Sequence, residues 1–270
     1  MTKPAIRIFL IRHGLSEANI DKTVHFHTPD HAVRLSEEGH VQARKAGTIL
    51  AEYLALPPVS EAEAYAALDL EHMPQRRARM LVSPYTRTRQ TADEVGKSLE
   101  DAGIRFDRRE CEELREISFG LFDGLSIDEI RREFPREQAY YEKHKKVAGE
   151  LFAPMPLGES RIQVGDRVKQ SFGTILRDAE GSGDRAPIED FYLIGHGISI
   201  NMFLQRWMHM PWEEIEARRN PDNCSITLIE GRAGQHHGPD GKSYVETSVF
   251  EGFPHDHKTE QDIREEGHVA

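Results

Sequence analysis

Two histidines stand in near-matching contexts far apart in the chain. Arg12-His13-Gly14 follows the apolar run Ile6-Arg7-Ile8-Phe9-Leu10-Ile11, and Gly195-His196-Gly197 follows Phe191-Tyr192-Leu193-Ile194. A third run, Arg79-Met80-Leu81-Val82, leads through Ser83-Pro84 to Arg87. Short β-rich runs that end in glycine and a reactive side chain read as buried parallel strands presenting residues at their carboxyl ends, the edge where open α/β sheets bind ligands. If the three strands are parallel, two guanidiniums, two imidazoles and the N–H groups of nearby helix starts surround a compact dianion, for which phosphate is the natural candidate. A neutral imidazole can attack phosphorus and split one hard displacement into two steps. Flanking guanidiniums then neutralise charge on the transferring group. The second imidazole is expected to hydrogen-bond the same oxygens when protonated; position alone does not say which histidine does which. The leaving alkoxide needs a proton. Glu116, in Leu114-Arg115-Glu116-Ile117-Ser118-Phe119-Gly120, is the candidate acid, because a bound dianion beside it would raise its pKa.

The elements that must position these groups alternate along the chain. After a strand at 6–11 comes a polar loop to about Leu35. A helix then starts behind Ser36 as N-cap and runs through Ala43, Ala46, Ile49, Leu50, Tyr53 and Leu54 to the break at Pro57-Pro58. Residues 59–78 read as an insertion or an extra helix, 79–82 as a strand, 86–99 as a helix and 104–106 as a third strand. Residues 129–146 form two helical pieces split by Pro135. A loop marked by Pro154, Pro156 and Gly158 precedes a helix over 161–176. The strand 191–194 leads to a helix over about 199–208. The turn Asn220-Pro221-Asp222-Asn223 leads into a strand over 225–229, and 244–250 is the last extended segment. Strands alternating with helices predict an α/β fold with a mostly parallel central sheet flanked by helices on both faces.

Four segments together resemble a known family. Arg12-His13-Gly14-Leu15-Ser16-Glu17-Ala18-Asn19 resembles the RHGxSxxN signature of the histidine phosphatase superfamily, also called phosphoglycerate mutase-like. Ser83-Pro84-Tyr85-Thr86-Arg87-Thr88-Arg89-Gln90-Thr91-Ala92 resembles its SPxxRTxQTA, the segment around Glu116 its LxExxFG, and Gly195-His196-Gly197 its second-histidine motif. Leu35-Ser36-Glu37-Glu38-Gly39 and Gly158-Glu159-Ser160 fit secondary patterns. The resemblance implies that His13 is the phosphorylated nucleophile and Glu116 the proton donor. It further implies that Arg12, Arg87 and His196 complete the phosphate pocket and that Asn19 is a further phosphate contact. Arg89 does not align with the phosphate arginine. The turn at 220–224 points to the branch of broad-range phosphatases. The expected activity is metal-independent hydrolysis of small phosphomonoesters through a phosphohistidine, with no cofactor. The alternatives are a cofactor-dependent phosphoglycerate mutase and a non-catalytic phospho-ligand-binding module. Glycolytic mutases carry a longer, more basic insertion after the acid motif. Here the basic group Lys143-His144-Lys145-Lys146 reads first as a solvated helix face and second as a lid edge.

The bulk composition narrows the classes. With 38% hydrophobic residues in 270, no window approaches the ~18 apolar residues that a spanning helix needs. The net charge of −11, from 46 acidic against 35 basic residues, repels polyanions, so neither nucleic acid nor a membrane is an expected partner. Cys111 and Cys224 are far apart and read as free buried thiols of a reducing compartment. Met1-Thr2-Lys3-Pro4 runs straight into a strand, and the expected location is cytoplasmic. The expected organisation is a catalytic domain over 1–252, with insertions at about 59–78 and 121–160, and a polar tail over 253–270. A small phosphorylated substrate is the expected partner, phosphate or sulfate are expected to bind the site, and a homodimer is one option. His25 and His27 are spaced for one strand face but read as lining the loop over the site. His236, His237, His255 and His257 read as solvated, and no four-ligand metal set stands out.

Overall fold

The structure, a computed structural model, describes residues 6–55, 76–181 and 186–254, without the side chains of 232–236. A six-stranded sheet in the order β3-β2-β4-β1-β5-β6 forms the middle of the fold. Its strands are β1 (Arg7–Arg12), β2 (Ala78–Val82), β3 (Phe106–Glu110), β4 (Asp190–Gly195), β5 (Ile226–His237) and β6 (Ser243–Phe250). The first four are parallel; β5 runs antiparallel to β1, and β6 antiparallel to β5.

The apolar runs form strands buried on both faces. Ile8 and Leu10 of β1 belong to one hydrophobic cluster, Phe9 and Ile11 to the other, and none of the four is more than 2% exposed. This explains why the runs are continuous rather than alternating. Helices α2 (Glu37–Ala55) and α3 (Thr86–Asp101) cover one face through Ala43, Ala46, Leu50, Val95 and Leu99. Helices α6 (Arg161–Glu180) and α7 (Gly197–Met208) cover the other through Val164, Val168, Phe172, Phe203 and Trp207. The remaining helices are the short α1 (Glu17–Ile20), α4 (Ile127–Glu133), α5 (Pro135–Ala148) and α8 (Trp212–Ala217). Serine N-caps start several of them. Ser36 Oγ accepts from Gly39 N at 3.0 Å, and Ser16, Ser126 and Ser160 each close a capping box with the residue three positions on.

Three features differ from the sequence expectation. The third strand is Phe106–Glu110 rather than 104–106. It is a sheet edge whose last four residues, Asp-Arg-Arg-Glu, are exposed, so it carries no apolar signal. β5 extends to His237, which places His236-His237 in a strand instead of a loop, although His237 is exposed. Helix α8 was not expected. His255, His257, nearly all of the 59–78 insertion and most of the 253–270 tail lie outside the described residues.

Candidate active site

The register of the sheet assembles the site. Arg12 at the end of β1 pairs with Gly195 at the end of β4, and Val82 at the end of β2 pairs with Ile194. The residues that follow, His13, His196 and Ser83, therefore leave three adjacent parallel strands at one edge. The His13 and His196 rings lie 5.2 Å apart between centroids, tilted by 63°.

His13 is 4% exposed, and its Nδ1 lies 2.8 Å from the carbonyl oxygen of Gly14. A carbonyl only accepts, so Nδ1 carries the proton and Nε2 the lone pair, the tautomer a nucleophile requires. His196 is completely buried, with Nε2 2.8 Å from Ser83 Oγ. Burial lowers its pKa well below the usual value, and the nearby Arg87, His13 and Arg12 lower it further. The imidazole is therefore neutral. With the Ser83 hydroxyl as donor to Nε2, the ring proton would sit on Nδ1. That atom is buried without a hydrogen-bond partner among the described residues. His196 can thus donate to a phosphate oxygen while neutral, where the sequence suggested that it would have to be protonated. The reason is the desolvated, cation-rich surroundings.

Arg12 is held by the turn that follows α8, its Nη1 donating to the Pro221 carbonyl at 2.5 Å. Its buried Nε has no hydrogen-bond partner among the described residues. Arg87, in the first turn of α3, is gripped by Asp30: Nη1 donates to the Asp30 carbonyl at 2.6 Å and to Oδ1 at 2.8 Å, and Nη2 donates to Oδ2 at 3.2 Å. The guanidinium also lies 5.1 Å over the Tyr85 ring, which packs 5.0 Å from His196. Asn19 sits three residues into the α1 cap. Its Oδ1 accepts from Ser16 N at 3.0 Å and Ser16 Oγ at 2.9 Å, so only its amide nitrogen would serve a phosphate oxygen.

Glu116 comes from the loop after β3. Its Oε1 accepts from Ile117 N at 3.0 Å, and its Oε2 lies 3.9 Å from His196 Nδ1. Burial raises its pKa, against the pull of Arg87 and Arg12, so the carboxyl is shifted toward the acid form before any anion binds. Arg167 of α6 clamps this loop. It donates to the carbonyls of Glu113 at 2.7 Å, Arg115 at 2.8 Å and Glu116 at 2.9 Å, and to both oxygens of Glu159 at 2.8 and 3.0 Å. These contacts use all five guanidinium N–H donors. Glu159 also accepts from Ser118 N. Burial works against its ionisation, yet Arg167 and Arg115 hold its pKa below the usual carboxylate range. The backbones of the two motifs touch as well: a Cβ on Gly120, at φ +60°, would stand 2.2 Å from the Pro156 carbonyl.

The five groups singled out as carriers of the chemistry, His13, His196, Arg12, Arg87 and Glu116, thus converge, while Asn19 is engaged in the cap of α1. Sequence reading gave no role to Ser83, Tyr85, Asp30, Pro221 or Arg167. Ser83 stood inside a recognised motif and was findable. Asp30 and Arg167 carry no local signal, since their partners lie 57 and about 50 residues away. The basic group on α5 stays outward, with Lys143 and Lys146 exposed and Lys145 paired to Glu150 at 3.4 Å.

Comparison with known proteins bears on this arrangement. The family model of the histidine phosphatase superfamily (branch 1) matches residues 54–238, which include the Arg87, Glu116 and His196 motifs. The chain is 32% identical over 236 residues to the phosphoglycerate mutase-like protein AT74 of Arabidopsis thaliana, covering 85% of this chain and 66% of AT74, just under two thirds of its length. It is 26% identical over 293 residues to the broad-range acid phosphatase DET1 of Saccharomyces cerevisiae, covering 83% of this chain and 84% of DET1. A mycobacterial glucosyl-3-phosphoglycerate phosphatase solved with inorganic phosphate superposes with a TM-score of 0.58 at 20% identity, over 90% of this chain and 96% of that one.

Proposed function

The chain belongs to the histidine phosphatase superfamily, branch 1, and from that premise we propose that it hydrolyses small phosphomonoesters through a phosphohistidine on His13. The observation that carries this reading is the pair of buried histidines with complementary hydrogen bonding. His13 has its lone pair on Nε2, and His196 has Nδ1 buried without a hydrogen-bond partner among the described residues, at a ring separation of 5.2 Å.

In the first step His13 Nε2 attacks phosphorus, the P–N bond forms and the P–O bond to the leaving group breaks. Glu116, protonated, gives its proton to the departing oxygen. Arg12, Arg87 and the Nδ1–H of His196 stabilise charge on the equatorial oxygens, and the Asn19 amide would add a donor. In the second step Glu116, now a carboxylate, takes a proton from water as that water attacks phosphorus and frees the imidazole. The phosphate held by the related mycobacterial enzyme supports a phosphate-sized site here. No step calls for a metal ion.

The test is hydrolysis of p-nitrophenyl phosphate in excess EDTA, beside isomerisation of 3-phosphoglycerate supplied with its bisphosphate. We expect hydrolysis to outpace isomerisation, and His13→Ala to lose the acid-labile phosphoenzyme and at least about 10⁴-fold in kcat. Activity surviving His13→Ala refutes the mechanism, and faster isomerisation makes the protein a mutase. A wild type that binds phosphate but turns over no ester makes it a binding module.

A further inference from the structure

Asp30 does two things at once. Its carboxylate and carbonyl occupy the end-on edge of Arg87, Nη1 and Nη2, and both partners are largely buried, with side-chain exposures of 6% for Arg87 and 15% for Asp30. A guanidinium has a second, side-on fork formed by Nε–H and the other Nη2–H. Arg87 can therefore bind phosphate without releasing Asp30, and a negative charge stays beside the pocket throughout turnover.

Asp30 is felt by Glu116, the group proposed to protonate the leaving oxygen, and by Asp123, whose side chain is exposed at the rim and whose pKa is raised by partial desolvation and then by Asp30. Asp123 also feels His25 and Arg87. The loop carrying His25 packs directly on this segment, since a Cβ on Gly124 would stand 2.7 Å from His25 Cβ. Tyr85, edge-on to His31 at 6.4 Å, forms the adjoining wall, and Arg115 is drawn off by Glu159 at 3.2 Å. Lys22 stands with Arg12 instead. The buried, unmatched Nδ1 of His196 and Nε of Arg12 mark where the anion itself belongs.

We propose that Asp30, reinforced by Asp123, is the specificity-determining residue for leaving-group charge. The site accepts phosphomonoesters whose leaving group is uncharged or cationic near the ester oxygen, and disfavours those with a carboxylate or second phosphate there. This rests on the hydrolase reading above. Two fixed like charges within one partly buried cleft repel enough to change rates by an order of magnitude or more.

The test compares sn-glycerol 3-phosphate with 3-phosphoglycerate, which differ only by CH₂OH against carboxylate. Wild type is expected to show higher kcat/KM for glycerol 3-phosphate. Asp30→Asn is expected to lower both values by loosening Arg87 while narrowing their ratio roughly tenfold. Asp123→Asn, which leaves the Arg87 clamp in place, is expected to narrow it less, and added salt is expected to narrow it in wild type by screening. A purely positional role for Asp30 would lower both substrates by the same factor. An unchanged ratio in both variants overturns the proposal, as does a wild type that prefers 3-phosphoglycerate. If Asp30→Asn does not fold, Asp123→Asn and the salt series decide. Hydrolysis that persists in His13→Ala refutes the underlying mechanism instead, whatever the ratio.

Discussion

At the scale of single residues, the site is built from groups held in the less charged of their two forms. His196 is kept neutral and Glu116 is shifted toward its acid form by the same desolvation, and they face each other at 3.9 Å. This gives a pH dependence with a definite sign. As the proposed acid, Glu116 must be protonated to act, so rates are expected to fall on the alkaline side as pH rises through its raised pKa. Glu116→Gln is expected to abolish that limb, and to lower kcat for glycerol 3-phosphate by about 10²–10⁴-fold. The loss for p-nitrophenyl phosphate should be smaller, because nitrophenolate leaves without a proton. Equal losses for the two esters would remove Glu116 from the acid role. The same logic covers stability. A carboxyl whose folded pKa lies above its unfolded value contributes fully below the unfolded pKa and loses that contribution as pH rises through the folded one, so the glutamine variant should gain stability relative to wild type above that range. His13, His196, Arg12, Arg87 and Glu116 were legible because each sits in a compact motif. Ser83's hydrogen bond to His196, and the neutral state it supports, depend on burial, which no motif records.

At the scale of elements, the proposed acid Glu116 sits on a loop that a helix clamps. Arg167 of α6 spends its whole donor set on the 113–116 carbonyls and on Glu159. Lysine keeps the charge but cannot reproduce the planar fork. Arg167→Lys is expected to lower kcat for an alkyl phosphate about tenfold or more through misplacement of the acid. Inhibition by inorganic phosphate should change little, because Arg12, Arg87 and His196 are the groups proposed to hold that anion. A parallel weakening of phosphate inhibition would show that Arg167 acts on the pocket as a whole. Element boundaries were readable where apolar periodicity or a serine cap marked them, as at Ser36 and at the start of α6 at Arg161. They were not readable at β3, whose Asp-Arg-Arg-Glu is strand only because β2 offers it a partner.

At the scale of the whole molecule, the sheet is held between two cores, and the one under α6 and α7 is aromatic. Trp207 is fully buried, stacked on Phe203 at 5.5 Å and edge-on to Phe172 at 4.8 Å and Tyr244 at 5.6 Å. Trp207→Ala is expected to cost about 3–5 kcal/mol in urea unfolding while kcat per folded molecule is retained, because its ring partners Phe172, Phe203 and Tyr244 are not among the proposed site residues. A loss of kcat in the folded variant would tie that core to the chemistry. Among the described residues no helix is long and apolar enough to cross a membrane. Local patterns carry strand and helix types, caps, and the residues that handle phosphate, because periodicity and motif spacing are properties of neighbours along the chain. The order β2-β4-β1 that brings His13 beside His196, the grip of Asp30 on Arg87, and the clamp of Arg167 on the Glu116 loop are fixed only when distant segments pack. Their energies come from burial and pairing between residues dozens to nearly two hundred positions apart.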